Sequence, residues 1–400
     1  MILLKRLIQA TALSAVFSLP VFGENLLELY GIAVQQDPQY QAARATQSST
    51  KKGEDIAGAA LLPSIGLSAN ANFVDLDVQS GPASDDNYDA QDLSVNLSQP
   101  IYRRDRWLNV DQAKIQSVTA DANFEASQQD LIIRLSQAYF NVLSAQDTLE
   151  FVLADKKAIA RQLDQAQQRF DVGLIAITAV YEAQAAFDQA VANEIIAQNA
   201  LDNAVEVLTE IVGKQEFNLN ALIEDLPLSK PDPEDLNTWT EKALSENPTI
   251  IAALNNAEVA QKEIEVQRSG HYPTVDLVGS YSIDRTDSRT GSDIDATVVG
   301  VQMALPLYAG GGVTASTEQA QFDFEAAQFG VEQARRSTTR QVRDAYRGVI
   351  ASISQVMALQ ATMVSSRSAL EATEAGFEVG TRTIVDVLDS SRNLYLVMND

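Results

Sequence analysis

Apolar positions along the chain follow two rhythms, and each change between them marks the end of an element. Helical spacing holds over 26–61 and stops before Pro63. There the period drops to two. Ile65, Leu67, Ala69, Ala71 and Phe73 alternate with Gly66, Ser68, Asn70 and Asn72, as a strand with two unlike faces requires. Leu93, Val95 and Leu97 alternate with Ser94, Asn96 and Ser98 in the same way. The pattern predicts strands over 65–79 and 91–101, joined by the polar run from Ser80 to Asn87, which has the chemistry of turn and loop. Helices are predicted over 105–172 and 175–213. From Asp105 to Phe170 neither Pro nor Gly interrupts 66 residues (170 − 105 + 1), which makes roughly 100 Å of helix at 1.5 Å per residue. Within it Leu131, Leu135, Ala138, Val142, Ala145, Leu149 and Val152 step alternately by four and three, the spacing of a coiled-coil seam.

The whole pattern is written twice. Asp37-Pro38 recurs as Asn247-Pro248 (248 − 38 = 210), and Leu62-Pro63 as Tyr272-Pro273 (273 − 63 = 210). Gln99-Pro100 recurs as Leu305-Pro306 (306 − 100 = 206), and Ala138-Tyr139 as Ala345-Tyr346 (346 − 139 = 207). Phe170-Asp171-Val172-Gly173 returns as Phe377-Glu378-Val379-Gly380 (380 − 173 = 207). Matches in one order with so little drift define a duplicated unit. The first copy covers 24–226 and the second 236–400. Between them lies a linker, 227–235, in which Pro227, Pro231 and Pro233 forbid continuous helix. In the second copy the expected elements are a helix over 236–270, strands over 274–286 and 296–308 around a polar loop from Asp287 to Asp295, and helices over 313–379 and 382–400. The seam returns as Val342, Ala345, Val349, Ser352, Val356 and Leu359. After Gly173 the helix continues 40 residues to Gly213 (213 − 173), whereas only 20 follow Gly380 (400 − 380). The duplication therefore predicts a truncated last helix, and poor oligomer stability if Asp400 is the true terminus.

Composition narrows the function. A net charge of −25 opposes binding to nucleic acid or to anionic lipid, and suits either a conduit for cations or a well-solvated surface. The absence of cysteine excludes disulfides, thiol chemistry, Cys-based metal sites and a lipid-anchored N-terminus. His271 is the only histidine, so no His-based zinc or catalytic cluster can form. With no nucleophile–base pair and no phosphate loop either, neither an enzyme nor a cofactor is expected. Residues 1–23 read as a secretory signal. Lys5 and Arg6 precede an apolar run from Leu7 to Phe22, and Val21-Phe22-Gly23 offers a cleavage site before Glu24. A membrane anchor is the competing reading, for which the run is short. No later run of 18 apolar residues occurs, so the exported protein either stays soluble or enters a membrane as strands.

Strands of about ten residues with one apolar face fit an outer membrane when tilted. Lipid cannot hydrogen-bond a free edge, so such strands must close into a barrel. Four strands per chain cannot close, since membrane barrels start at about eight. Copies must share one, and both a two-copy and a three-copy barrel remain open at this point. The rival is a periplasmic coiled-coil scaffold or adhesin stalk without a pore.

Glu24-Asn25-Leu26, Leu61-Leu62-Pro63, Ala138-Tyr139-Phe140-Asn141-Val142-Leu143, Phe170-Asp171-Val172-Gly173-Leu174 and Leu201-Asp202-Asn203-Ala204 carry a more specific resemblance. So, above all, does the run Val379-Gly380-Thr381-Arg382-Thr383-Ile384-Val385-Asp386-Val387-Leu388-Asp389. Over nearly its whole exported length the chain resembles the TolC family of outer-membrane efflux proteins. The resemblance implies an α+β membrane protein, a homotrimer with a twelve-stranded β-barrel continued by an antiparallel coiled-coil tunnel. It also implies service in tripartite efflux pumps and type I secretion, exporting drugs, bile salts or proteins. The partners it implies are a periplasmic adaptor (membrane fusion) protein, an inner-membrane RND or ABC transporter and outer-membrane lipid.

Site residues follow on the same terms. Asp386 and Asp389, spaced i, i+3, share a helix face. In a trimer they would set six carboxylates around an axis, attracting cations, repelling anions and opposing one another's ionisation. The resemblance implies that this ring is the constriction filter. It also implies gate links from Gln162 to Glu374, and from Arg382 to the turn at Thr178 and the position after it. Here the sequence departs from the family's archetype. Ala179 replaces an acid and Phe377 replaces a tyrosine. Arg382 must then pair with Glu182 or Asp171, or the latch is weaker, and the weaker latch is the expectation. Gly173, Leu174 and Ala176, with Gly380, Thr381 and Thr383, mark two sharp helix–helix turns in which Gly is the natural C-cap. These tips are the implied adaptor-docking surface.

Overall fold

A computed structural model describes residues 24–399 except 78, 80–85, 223–226 and 289–290, so the expected signal at 1–23 lies outside the described residues. The first copy of the unit folds as α1 (Leu26–Gln36), α2 (Pro38–Ala59), β1 (Ser64–Leu76), β2 (Asp86–Tyr102), α3 (Arg104–Asp171) and α4 (Ile177–Val212). The second gives α5 (Leu236–Glu246), α6 (Pro248–Arg268), a 3₁₀ turn (Ser269–His271), β3 (Thr274–Thr286), β4 (Ser292–Ala304), α7 (Gly312–Glu378) and α8 (Ile384–Asn399).

The single helices expected over 26–61 and 236–270 are each broken in two. Asp37 and Asn247 hold extended backbone (ψ 117° and 122°) because each precedes a proline, which excludes its neighbour from the helical region. Both breaks begin a new helix well. Asn247 accepts N–H bonds from Thr249 and Ile250 at 2.9 and 3.4 Å, and Pro248 occupies the first turn, where a missing N–H costs nothing. Three strands also differ from expectation, β2 beginning at Asp86, five residues ahead of 91. β1 ends at Leu76, short of 79, and β4 runs Ser292–Ala304 rather than 296–308, stopping before Pro306, which has no N–H for the ladder.

The strands form one antiparallel sheet in the order β1-β2-β3-β4, which leaves β1 and β4 as open edges. Its register sorts the side chains by polarity. Leu67 faces Val95, Val95 faces Tyr281, and Tyr281 faces Thr297; one pair along, Ile65, Leu97, Gly279 and Val299 line up. The other face carries Ser68 against Ser94, their hydroxyls 2.8 Å apart, and Asn70 donating to Asp92 at 2.7 Å. Ile65 and Leu67 are 74% and 71% exposed in the single chain. An apolar sheet face so bare needs a non-aqueous surrounding.

The chain divides into two compact units, and these do not follow the repeats. One takes the chain up to Asp37, Ile132–Leu228 and the chain from Ala358 onward; the other takes Pro38–Leu131 and Ser229–Met357. The first unit buries Leu29 and Ala33 of α1, Leu135, Ala138 and Val142 of α3, and Leu208, Ile211 and Val212 of α4. Arg134 reaches Asp37 at 2.8 Å, and the Tyr139 hydroxyl donates to the Asn220 carbonyl at 3.0 Å. The second unit contains the sheet, with Arg103 gripping Asp276 through two bonds of 2.8 and 3.1 Å where β2 passes into α3.

Candidate functional site: the two tips and the constriction helix

The α3–α4 and α7–α8 turns share one backbone solution. Gly173 adopts φ +75° and donates to the Phe170 carbonyl at 2.8 Å, while Leu174 donates to the Arg169 carbonyl at 2.9 Å. Gly380 adopts φ +77° and donates to Phe377 at 3.1 Å, while Thr381 donates to Gly376 at 2.8 Å. Both are Schellman motifs, in which a left-handed residue turns two orphan carbonyls back on the chain. Beneath the first tip, Ala166, Val180 and Ala183 are buried with Leu163, Phe170 and Ile175 against them. Beneath the second, Ile384 and Val387 are buried.

The helices that follow start differently. At α8 the Thr383 hydroxyl accepts from the Asp386 N–H at 3.3 Å, and the Asp386 carboxylate accepts from the Thr383 N–H at 2.8 Å and its hydroxyl at 2.9 Å. This is a capping box with an aspartate in its acidic position. The bonds from Thr383 hold the Asp386 carboxyl below its ordinary range, with Arg382 adding to the effect. Expected repulsion between ring members is therefore opposed at Asp386 by a local cap that favours the charged form. Asp389 is exposed one turn further along α8. α4 has no such device, since Ala176 stands at its N-cap without a side-chain bond.

The expected gate residues are brought together only in part. Gln162 and Glu374 line one cleft of about 760 Å³ between α3 and α7, with Arg161, Arg169 and Phe377. Among the described residues no bond joins the two, and the Gln162 Oε1 is buried without a partner. Among the described residues of one copy no bond joins Thr178 to Arg382. Its side chain lies over Gly376, where an added Cβ would come within 2.8 Å of Arg382 Cγ, and its charge acts on Asp386. Among the described residues no ion pair joins Arg382 to Glu182 or Asp171. Asp171 instead accepts from Gln167 at 2.9 Å.

One contact escaped the sequence. The Arg169 guanidinium sits 4.5 Å from the centroid of the Phe377 ring, tying the end of α3 to the end of α7. A cation over an aromatic face is worth about 0.5–1 kcal/mol at an exposed site. The ring that lacks the hydroxyl expected of a tyrosine thus has a partner that needs only its face. No spacing rule marks that pair, whereas the Thr-x-x-Asp run at 383–386 is a helix-start signal that was open to reading.

Comparison with known proteins agrees with this geometry. The family model described as "Outer membrane efflux protein" matches residues 29–214 and 239–400. "Outer membrane protein TolC" of Vibrio cholerae is 41% identical over 380 residues, 94% of this chain and 86% of that protein. The "Alkaline protease secretion protein AprF" of Pseudomonas aeruginosa is 29% identical over 388 residues, 95% of this chain and 81% of the relative. In three dimensions the Campylobacter jejuni CmeC outer membrane channel gives a TM-score of 0.78 at 16% identity, covering 94% of this chain and 81% of that one, a likeness of fold. A stalk without a pore leaves both the two-faced sheet and these relationships without a reason. The chain belongs to the outer membrane efflux protein family, and it is an outer-membrane exit channel of efflux and type I secretion whose helices extend into the periplasm.

Proposed function

We propose that three copies of this chain close a twelve-stranded barrel, β4 of each pairing with β1 of the next, and serve as the exit duct for a periplasmic adaptor and an inner-membrane RND or ABC transporter. The observation that carries this is the sheet, apolar on one face, polar on the other and unpaired at both edges. In lipid an unpaired strand edge costs several kcal/mol for each unsatisfied group, so ring closure is the stable outcome. A relative named for alkaline protease secretion supports protein as cargo beside drugs and bile salts.

Asp386 and Asp389 act as the cation filter, Asp386 held ionised by Thr383. Gln162, Glu374, Arg382 and Thr178 supply gate contacts that complete themselves between copies, since none closes within one. The adaptor docks on the tips, at Gly173, Leu174 and Ala176 and at Gly380, Thr381 and Thr383. Detergent-extracted protein should run as a heat-resistant trimer and conduct cations over anions in planar bilayers. Asp386→Asn with Asp389→Asn should abolish most of that preference. Monomers without conductance would refute the pore. For the docking surface, Cys placed at Ala176 or Thr383 should crosslink to the adaptor in a chain that has no cysteine of its own.

A further inference from the structure

Three helices of one compact unit line a half-open cavity of about 210 Å³, walled by Phe151 and Val152 of α3 and by Leu388 and Leu396 of α8. Into this apolar space come Asp155 from α3, Asn193 from α4, and Arg392 and Tyr395 from α8. One carboxylate oxygen of Asp155, Oδ1, is buried and has no hydrogen-bond partner among the described residues. Arg392 faces it across the cavity, near enough to act on its charge but without closing an ion pair. Other charges nearby are Lys156, which holds Glu194 of α4 at 2.5 Å, and Arg161 and Glu374 of α7, which act with Asp155 on Tyr395.

A half-buried carboxylate with one oxygen shut in and lacking a donor opposes the packing that shuts it in. Its position is what makes this consequential, because the helix packed over it, α8, also carries Asp386 and Asp389. We propose that Asp155 is a proton-sensitive release element, whose ionised carboxylate primes α8 to leave α3 and so sets how readily the constriction opens. Asp155 is a positioning residue here, acting on the filter through Arg392 and α8. The inference rests on the reading above that α8 carries the filter, and adds that displacement of α8 widens the constriction.

The direction with pH follows from burial, which raises the Asp155 carboxyl above its ordinary 3.8, the effect of Arg392 being smaller and opposite. A group raised in the packed state stabilises that state when protonated. The stabilisation is complete below the ordinary carboxylate range and is lost as pH rises through the raised value. Neutral pH therefore favours release, and acid favours packing.

The test is single-channel conductance of trimers in planar bilayers, for the unaltered protein and Asp155→Asn, from pH 4 to pH 8. Both proteins keep the same filter aspartates, so the ratio of their conductances at each pH isolates Asp155. The ratio should exceed one at neutral pH, with the release equilibrium favoured about fivefold or more by the unmet carboxylate, and should fall to one in acid. Arg392→Gln should raise conductance when made alone and change nothing when combined with Asp155→Asn in the double variant. Hydrogen exchange of residues 384–399 at neutral pH should be slower in Asp155→Asn. A ratio that stays flat, or an Arg392→Gln effect equal in both backgrounds, overturns the release element. If cation preference still collapses in Asp386→Asn/Asp389→Asn, the filter reading survives that outcome; if it does not, both fall.

Discussion

Gly173 and Gly380 stand at equivalent places in the two repeats and adopt nearly the same left-handed backbone, φ +75° and +77°. Phe170-Asp171-Val172-Gly173 matches Phe377-Glu378-Val379-Gly380, and beyond the glycine the likeness thins. There Thr383 and Asp386 box the start of α8, whereas the equivalent positions in the first repeat (383 − 207 and 386 − 207) are Ala176 and Ala179. The turn is governed by backbone sterics, which leave few residues free to serve. The helix start is governed by side chains, which diverge without unmaking the turn. One tip is thus fastened at both ends and the other at one, and Arg169 of the looser tip is spent on Phe377 of the firmer one.

The comparison breaks most severely at the glycines. Gly173→Ala and Gly380→Ala should each cost about 1–2 kcal/mol, and by similar amounts, because each forces a Cβ into the left-handed region. Thermal dissociation of the trimer measures both, and a large difference between them would show that the shared turn is not the governing feature. Next comes the cap. Thr383→Ala should cost about 1 kcal/mol, with faster hydrogen exchange over the first turn of α8. The reciprocal transplant, Ala176→Thr with Ala179→Asp, should slow exchange at the start of α4 and make the tips alike.

Smaller effects sharpen the contrast. Arg169→Ala and Phe377→Leu should each loosen the tips by about 0.5–1 kcal/mol, while Phe377→Tyr, which keeps the ring face, should not. In a double-mutant cycle the two losses should not add. The smallest effect concerns pH. Asp386 is held low by its bonds from Thr383, so its contribution is present above the ordinary carboxylate value of 3.8 and is lost only as pH falls through the lowered one. Exchange protection at the start of α8, corrected for intrinsic rates, should stay level from pH 8 to 5 and fall in stronger acid. Thr383→Ala should move that fall toward neutral pH.

The periodicity of Ile65 to Phe73 and of Leu93 to Leu97 located the strands because each face has one solvent and the pleat has one period. Helix breaks at Asp37 and Asn247 were less legible, although Pro38 and Pro248 were in plain view. Both prolines sit where a new helix can begin, so apolar spacing runs through the break. The seams taught a further lesson. In α3 the positions Leu131, Leu135, Ala138 and Val142 are buried, as a coiled-coil seam requires, but at the matching spacing in α7 Val349 is 44% exposed and Val356 37%. The described α8 has 16 residues against 36 in α4, so among the described residues less helix is available to cover α7. One window of α7 is apolar enough to pass for a membrane crossing by length and composition alone, and it lies bare in the single chain. Site residues were legible one at a time. Their pairings were not, because the Arg169–Phe377 contact forms only where the fold brings the ends of α3 and α7 together, which no local spacing rule marks.

The open rims of the sheet at β1 and β4 also govern how the protein must be made. A solitary copy offers the bilayer two rows of unmet amide groups, so association should precede insertion. Output then scales steeply with expression, and one faulty copy wastes its sound companions. A chain carrying a proline in the outer rim of β4 should poison wild-type assemblies produced in the same cell, a dominance that a channel folding alone would never display.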